Sequence, residues 1–276
     1  MTSRHAQEFE HRDITALIGS ELLITKAGLL GGKHAQDIRV LLEERGVLVF
    51  PKVGFTPDEL IAFTKTLGNY IADKADGAVT SISLDAANPS ADYTKSSYFW
   101  HFDGYMNNVP VLASILSAEV LSPIGGNTEF CNTYAAYNEL PEERKQQLDG
   151  LYAVHALAAA QLSVTPEPDY ATYKKWLAIP SNALPLVWKH RSGRKSLVIG
   201  NTAANIVGMD PLEGTELLVW LRDWATQERF RYSHRWAVGD AVIWDNTGTL
   251  HRVTPYPATS GRLLYRTKLA GEEAFT

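Results

Sequence analysis

Residues 229–245 read RFRYSHRWAVGDAVIWD, two runs rich in aromatic and β-branched residues broken at Gly239-Asp240. The runs 229–237 and 240–245 have the length and composition of strands, and the Gly-Asp pair supplies the turn between them. Working outward, 196–199 and 262–269 read the same way, each bounded by turn residues. Many short strands with few helices predict a mainly β protein with flanking helices, its core a sandwich or jelly roll.

The helix signals stand outside these runs. Residues 34–45 carry Ile38, Val40, Leu41 and Leu42, stop at Gly46 and give way to the apolar strand Val47-Leu48-Val49-Phe50. Thr56-Pro57-Asp58-Glu59 offers an N-cap, a proline at the first helical position and a glutamate placed for a capping box, so a helix is expected up to Gly68. Asp210-Pro211-Leu212-Glu213 starts another, in which Leu217, Leu218, Trp220, Leu221 and Trp224 recur at near-helical spacing as core residues. Segments 73–97 and 161–183 show weak periodicity and many small or polar residues, and are expected to be long loops of the kind that form lids. No repeat, low-complexity tract or linker divides the chain, which reads as a single domain over 1–276.

With 276 residues, 45% of them hydrophobic and 21% charged, the chain can bury a full core. A net charge of −5 without a basic run gives no footprint for nucleic acid or an anionic membrane. The single cysteine, Cys131, excludes an internal disulfide and reads as a small buried hydrophobe. No secretory signal or membrane-spanning run is visible, so a cytoplasmic location is the default expectation. The expected partner is a small-molecule substrate, with no nucleic acid and no membrane, and a homo-oligomer is compatible with the sequence.

His101-Phe102-Asp103 is a His-x-Asp spacing. On an extended strand the period of two puts both side chains on one face, ~6.6 Å apart. A further histidine from a neighbouring strand would complete two imidazoles and a carboxylate on one side of a metal, a set that suits Fe(II) and leaves positions open for a bidentate co-substrate and O₂. Alone, the spacing also describes a surface pair or a satisfied core histidine. Its company is Trp244-Asp245-Asn246 at a strand end, His251 on the next strand, and Arg262 and Arg266, which lie 11 and 15 residues beyond that histidine. Residues four apart on a strand share a face, so both arginines can point into one cavity. The other histidines, His5, His11, His34, His155, His190 and His234, have no partner at ligand spacing and read as surface or satisfied core residues.

On these residues the chain resembles the TauD/TfdA family of Fe(II)/2-oxoglutarate-dependent dioxygenases. The matching segments are Gly46 to Phe50 with the following helix, Trp100-His101-Phe102-Asp103, Gly125-Gly126-Asn127-Thr128, Trp244-Asp245-Asn246 before His251, and Arg262 through Arg266 to Leu269-Ala270-Gly271. The stretch from Leu184 to Asp210 looks especially like the aryloxyalkanoate branch. The resemblance implies a double-stranded β-helix core, with His101, Asp103 and His251 as iron ligands and Thr128 and Arg262 on the distal carboxylate of 2-oxoglutarate. A guanidinium suits that task, since it grips a carboxylate through two parallel charge-assisted hydrogen bonds.

The resemblance further implies oxidative decarboxylation of 2-oxoglutarate to succinate and CO₂, coupled to oxidation, most often hydroxylation, of a substrate C–H bond. It assigns Arg266 to an anionic group of the prime substrate, and Ser97 and Gly104 to substrate contact. Tyr105 shares the parity of His101 and Asp103 and, with Tyr98 from the surrounding aromatic cluster, is a candidate for the pocket wall; Phe102 should point away. A small organic acid with an apolar or aromatic body fits these residues. A non-catalytic cupin-like binding module, or a zinc-dependent lyase using the same ligands, would be the alternatives.

Overall fold

Gly46 sets the first turn of the architecture. In the computed structural model, which describes residues 9–73, 75–88 and 91–276, the helix Ala35–Arg45 ends there at φ 71°, a conformation that glycine enters freely, and the strand Val47–Phe50 follows at once. All four strand residues are buried because both faces are covered. Val47 and Val49 face Val242, Trp244, Leu116 and Phe130, while Leu48 and Phe50 face Ile38, Leu41, Leu60 and Phe63 of the helices. The period of two therefore separates an inner sheet face from a helix-covered outer one. Val40, expected with the apolar set, is exposed: it lies on the far side of its helix.

This strand belongs to an eight-stranded sheet. The order runs His11–Asp13, Ser20–Leu22, Val47–Phe50, Ala241–Asp245, Ala113–Val120, Leu263–Leu269 and Tyr70–Ile71, with Thr80–Ile82 also paired to Leu263–Leu269. Across the inner face stands a three-stranded antiparallel sheet, Arg231–His234, Thr128–Asn132 and Thr249–Val253. Phe130 from the small sheet packs against Trp244 of the large one, so the two sheets share an apolar interior. These facing sheets are the double-stranded β-helix core. Two further small sheets and the helix Pro211–Ala225 cover the small sheet from outside, around Trp188, Leu221 and Phe230.

The helix starts follow their caps. Thr56 and Glu59 complete the capping box of Pro57–Leu67, and Asp210 accepts from the backbone of Leu212 and Glu213 at the head of Pro211–Ala225. In the latter helix Leu217 and Leu221 are buried, whereas Leu218, Trp220 and Trp224 are half-buried against the core. The strand expected over 229–237 is shorter, Arg231–His234, because Glu228–Phe230 forms a 3-10 turn. The two expected loops are partly ordered. Segment 161–183 contains the helix Tyr170–Leu177, and segment 73–97 contains the strand Thr80–Ile82, the helix Ala91–Lys95 and a 3-10 turn at Ser96–Tyr98. Among the described residues no helix is long and apolar enough to cross a membrane. Cys131 is fully buried, and burial pushes its thiol up.

Candidate active site

His101 and Asp103 do not lie on a regular strand. His101 makes a single antiparallel bridge to His251, with backbone hydrogen bonds of 3.0 and 2.8 Å, and Asp103 follows in a bend. Strand alternation therefore does not explain their juxtaposition; the bridge does. It brings the two imidazoles within 4.1 Å of each other, ring centre to ring centre. One ligand atom from each of His101, Asp103 and His251 lies within 4.8 Å of the others.

The surroundings fix the protonation and aim of these groups. The ring nitrogen Nδ1 of His101 donates to the carbonyl of Phe99 at 2.9 Å, which leaves Nε2 with its lone pair free. Burial pushes both histidines below their ordinary value, His101 adding to the effect on His251, so both are neutral near pH 7. Burial alone would raise Asp103, but His251 and His101 whenever they are protonated, the permanent charge of Arg266 and the Ser114 hydroxyl outweigh it, holding the carboxyl well below the usual carboxylate range. Two neutral imidazoles and one carboxylate fit a divalent metal of the Fe(II) type.

A chain of hydrogen bonds orients Asp103. Ser114 Oγ donates to its carboxylate at 2.8 Å, Asn246 Nδ2 donates to Ser114 Oγ at 3.0 Å, and Trp244 Nε1 donates to Asn246 Oδ1 at 2.9 Å. Ser114 pairs with Trp244 in the sheet and with Lys268 on its other side, so the whole row projects from the inner face.

The cluster opens into a cavity of about 700 Å³, large enough for a co-substrate and a small second molecule. Thr128, Arg262 and Arg266 line it, as does Ser97. Arg262 is 3% exposed, yet among the described residues it pairs with no carboxylate. Its Nη2 donates to the Gly126 carbonyl at 3.0 Å, its guanidinium lies 4.6 Å from the centre of the Tyr256 ring, and its buried Nε has no partner among the described residues. Gly126 makes room for it, since a Cβ there would stand 2.9 Å from Nε. Trp236 Nε1 donates to Thr128 Oγ1 at 3.0 Å, which leaves the threonine hydroxyl proton free for an acceptor.

Arg262 precedes the strand Leu263–Leu269, and the register shifts between Leu263 and Leu264, so the spacing of four does not by itself align the two arginines. Both nevertheless line the same cavity.

Three residues expected at the pocket wall are elsewhere. The chain turns at Gly104, φ 96°, which breaks the alternation and sends Tyr105 into the core beside His155. Gly104 itself is packed so closely that a Cβ would meet the Val111 nitrogen at 2.6 Å. Tyr98 stands behind the wall, its ring edge-on to Tyr256 at 6.3 Å. Phe102 points away from the cluster into the core, as expected, although no regular strand sets its direction.

Of the other histidines, His155, His190 and His234 are buried and bonded to Thr202, Ser196 and Tyr232 respectively, and His5 lies outside the described residues. A larger cavity of about 1100 Å³ lies beyond Trp100, among Leu162, Trp176 and Leu218; it contains none of the cluster and shares only Arg252 with the first.

This fold and donor set define a metal- and 2-oxoacid-dependent oxygenase, and known proteins agree. The family model described as Taurine catabolism dioxygenase TauD, TfdA family matches residues 10–268. An alpha-ketoglutarate-dependent 2,4-dichlorophenoxyacetate dioxygenase of Burkholderia sp. (strain RASC) is 34% identical over 265 residues, 88% of each chain. An (S)-phenoxypropionate/alpha-ketoglutarate-dioxygenase of Sphingobium herbicidovorans is 32% identical, covering 96% of both. Among solved structures, AAD-2 in complex with Mn(II) and N-oxalylglycine superposes with a TM-score of 0.87 at 28% identity, over 97% of this chain and 99% of that one. The chain belongs to the TauD/TfdA family. It is an Fe(II)- and 2-oxoglutarate-dependent dioxygenase.

Proposed function

We propose that His101, Asp103 and His251 hold the Fe(II), that Thr128 and Arg262 anchor the distal carboxylate of 2-oxoglutarate, and that the prime substrate is a small monoanionic acid with an apolar or aromatic body, all within one domain. The observation that carries the reading is Arg262, a buried guanidinium facing the cavity with no carboxylate partner among the described residues. A buried cation without a counter-ion is costly, and a ligand carboxylate relieves that cost. Thr128 adds a hydroxyl donor beside it, because Trp236 already occupies its oxygen.

When bound, Fe(II) supplies the oxidising chemistry, activating O₂ at the expense of 2-oxoglutarate. The chain's own residues orient and select. Ser114 and Asn246 hold Asp103 to one rotamer, and the Phe99 carbonyl fixes the His101 tautomer.

Charge supports a monoanion. Fe(II) and 2-oxoglutarate offset each other, Arg252 is compensated by Glu129 at 2.6 Å, and among the described residues the three cations in and beside the cavity, Arg262, Arg266 and Lys268, stand against two carboxylates, Asp73 and Asp103. One positive charge remains for the prime substrate. Arg266 is the residue placed to take it, with Leu116, Ile82 and Trp244 as apolar surface and Ser97 also in the cavity lining. The named substrates of the two relatives, 2,4-dichlorophenoxyacetate and (S)-phenoxypropionate, are such acids.

The test is Arg262→Ala. The 2-oxoglutarate concentration needed for half-maximal succinate release should rise on the order of a hundredfold, the scale of a lost bidentate pair, while Mn(II) affinity stays at the wild-type value. An unchanged 2-oxoglutarate requirement would overturn the anchor assignment. His101→Ala and Asp103→Ala should abolish O₂-dependent succinate release.

A further inference from the structure

Asp73 follows the short strand Tyr70–Ile71 and lines the cavity. Its carboxylate accepts from Arg266 Nη2 at 3.1 Å, from Thr80 Oγ1 at 2.7 Å and from Lys268 Nζ. Arg266 and Lys268 lie two apart on one strand and project from the same face, and Thr80 stands directly opposite Arg266 in the register. Arg266 has donors to spare: Nη1 is 3.9 Å from Asp103, and the buried Nε has no partner among the described residues.

We propose that Asp73 is an exchangeable counter-ion: it holds Arg266 in the substrate-free protein, and an incoming substrate carboxylate takes Arg266 over while Asp73 stays with Lys268. This rests on the anionic-substrate reading above. An unpaired guanidinium at the cavity wall would be costly, so a carboxylate from the chain fills the place until the ligand arrives. Arg266 presents five donors in a planar fork and can serve two acceptors in turn; Lys268 keeps the displaced Asp73 paired, so no carboxylate is stranded by the exchange. A neutral molecule of the same shape has no charge with which to displace Asp73. The preference for acids over their amides and esters comes from the Arg266 guanidinium; Asp73 lowers the affinity for acids, since it competes with them, and leaves neutral molecules unaffected.

The competition gives the test its direction. A residue that merely braces Arg266 would, when removed, weaken acid binding; a competitor would strengthen it. Protein loaded with Mn(II) and N-oxalylglycine, which cannot turn over, is titrated calorimetrically with phenoxyacetate and with neutral phenoxyacetamide. Asp73→Asn, and Asp73→Ser as a second variant, should bind phenoxyacetate roughly fivefold tighter than wild type, the scale of a partly exposed ion pair, with phenoxyacetamide unchanged. Acid binding that is weaker or unchanged in the variants overturns the exchange, as does an equal gain for the amide. Uptake of the acid by neither wild type nor variants would overturn the anionic-substrate reading and this inference with it.

Discussion

Asn246 bonds to Trp244 and Ser114 at once, and through Ser114 it reaches Asp103. Residues that orient a ligand in this way typically contribute 10- to 100-fold to metal affinity. Asn246→Ala should therefore weaken Mn(II) binding by about tenfold while leaving the fold intact, as a metal titration alongside circular dichroism would reveal; wild-type affinity would remove Asn246 from this role. Gly126→Ala tests the co-substrate side. Its φ of 78° is strained for alanine, and the added Cβ would crowd Arg262 at 2.9 Å. The 2-oxoglutarate requirement should rise with little change in metal affinity. These glycine, histidine and arginine positions were legible in the sequence because each sits in a short motif that resembles a family motif. Asp73 was not: it meets Arg266 and Lys268 across separations of 193 and 195 residues, and no local pattern marks that meeting. The pocket role expected for Tyr105 depended on an alternation that the turn at Gly104 interrupts.

At the scale of elements, the same distinction between local and distant causes holds. The helix Pro57–Leu67 is announced by its own first residues, and the reciprocal bonds of Thr56 and Glu59 form as expected. Thr56→Ala should cost about 1 kcal/mol in urea unfolding, and no loss would mean that tertiary contacts alone hold that helix end. The helix Tyr170–Leu177 escaped notice for a physical reason. Asp169 caps it, but only Trp176 is buried, while Tyr170 is 77% exposed and Leu177 53%, so no apolar stripe recurs at helical spacing. Thr80–Ile82 is likewise a three-residue strand whose existence depends on pairing with Leu263–Leu269. Both elements belong to segments read as loops, and the second carries part of the cavity wall.

In the whole molecule, burial distributes ionisable groups well beyond the active site, and this sets how stability depends on pH. His155 and His190 are each pushed down to about 4 from 6.5 by burial, His190 further by Arg194. Between those values the unfolded chain binds the more protons, so stability is full above pH 6.5 and falls as pH drops toward 4, by about 3 kcal/mol for each histidine. His101 and His251, lowered by burial too, act in the same direction when no metal is bound. Asp245 opposes them. Burial raises it to about 6 from 3.8, so the folded protein holds its proton more tightly and the stability it contributes in acid is lost as pH rises through 6. The histidines outnumber it, and the metal-free protein should be less stable at pH 4.5 than at pH 7. Asp245→Asn removes the opposing group while Thr247 can still donate to the amide oxygen. Urea unfolding at the two pH values should therefore show a wider stability gap in Asp245→Asn than in wild type, through a gain at pH 7. A narrower gap would mean that Asp245 is ionised at both pH values and is held by its Thr247 contacts against the cost of burial.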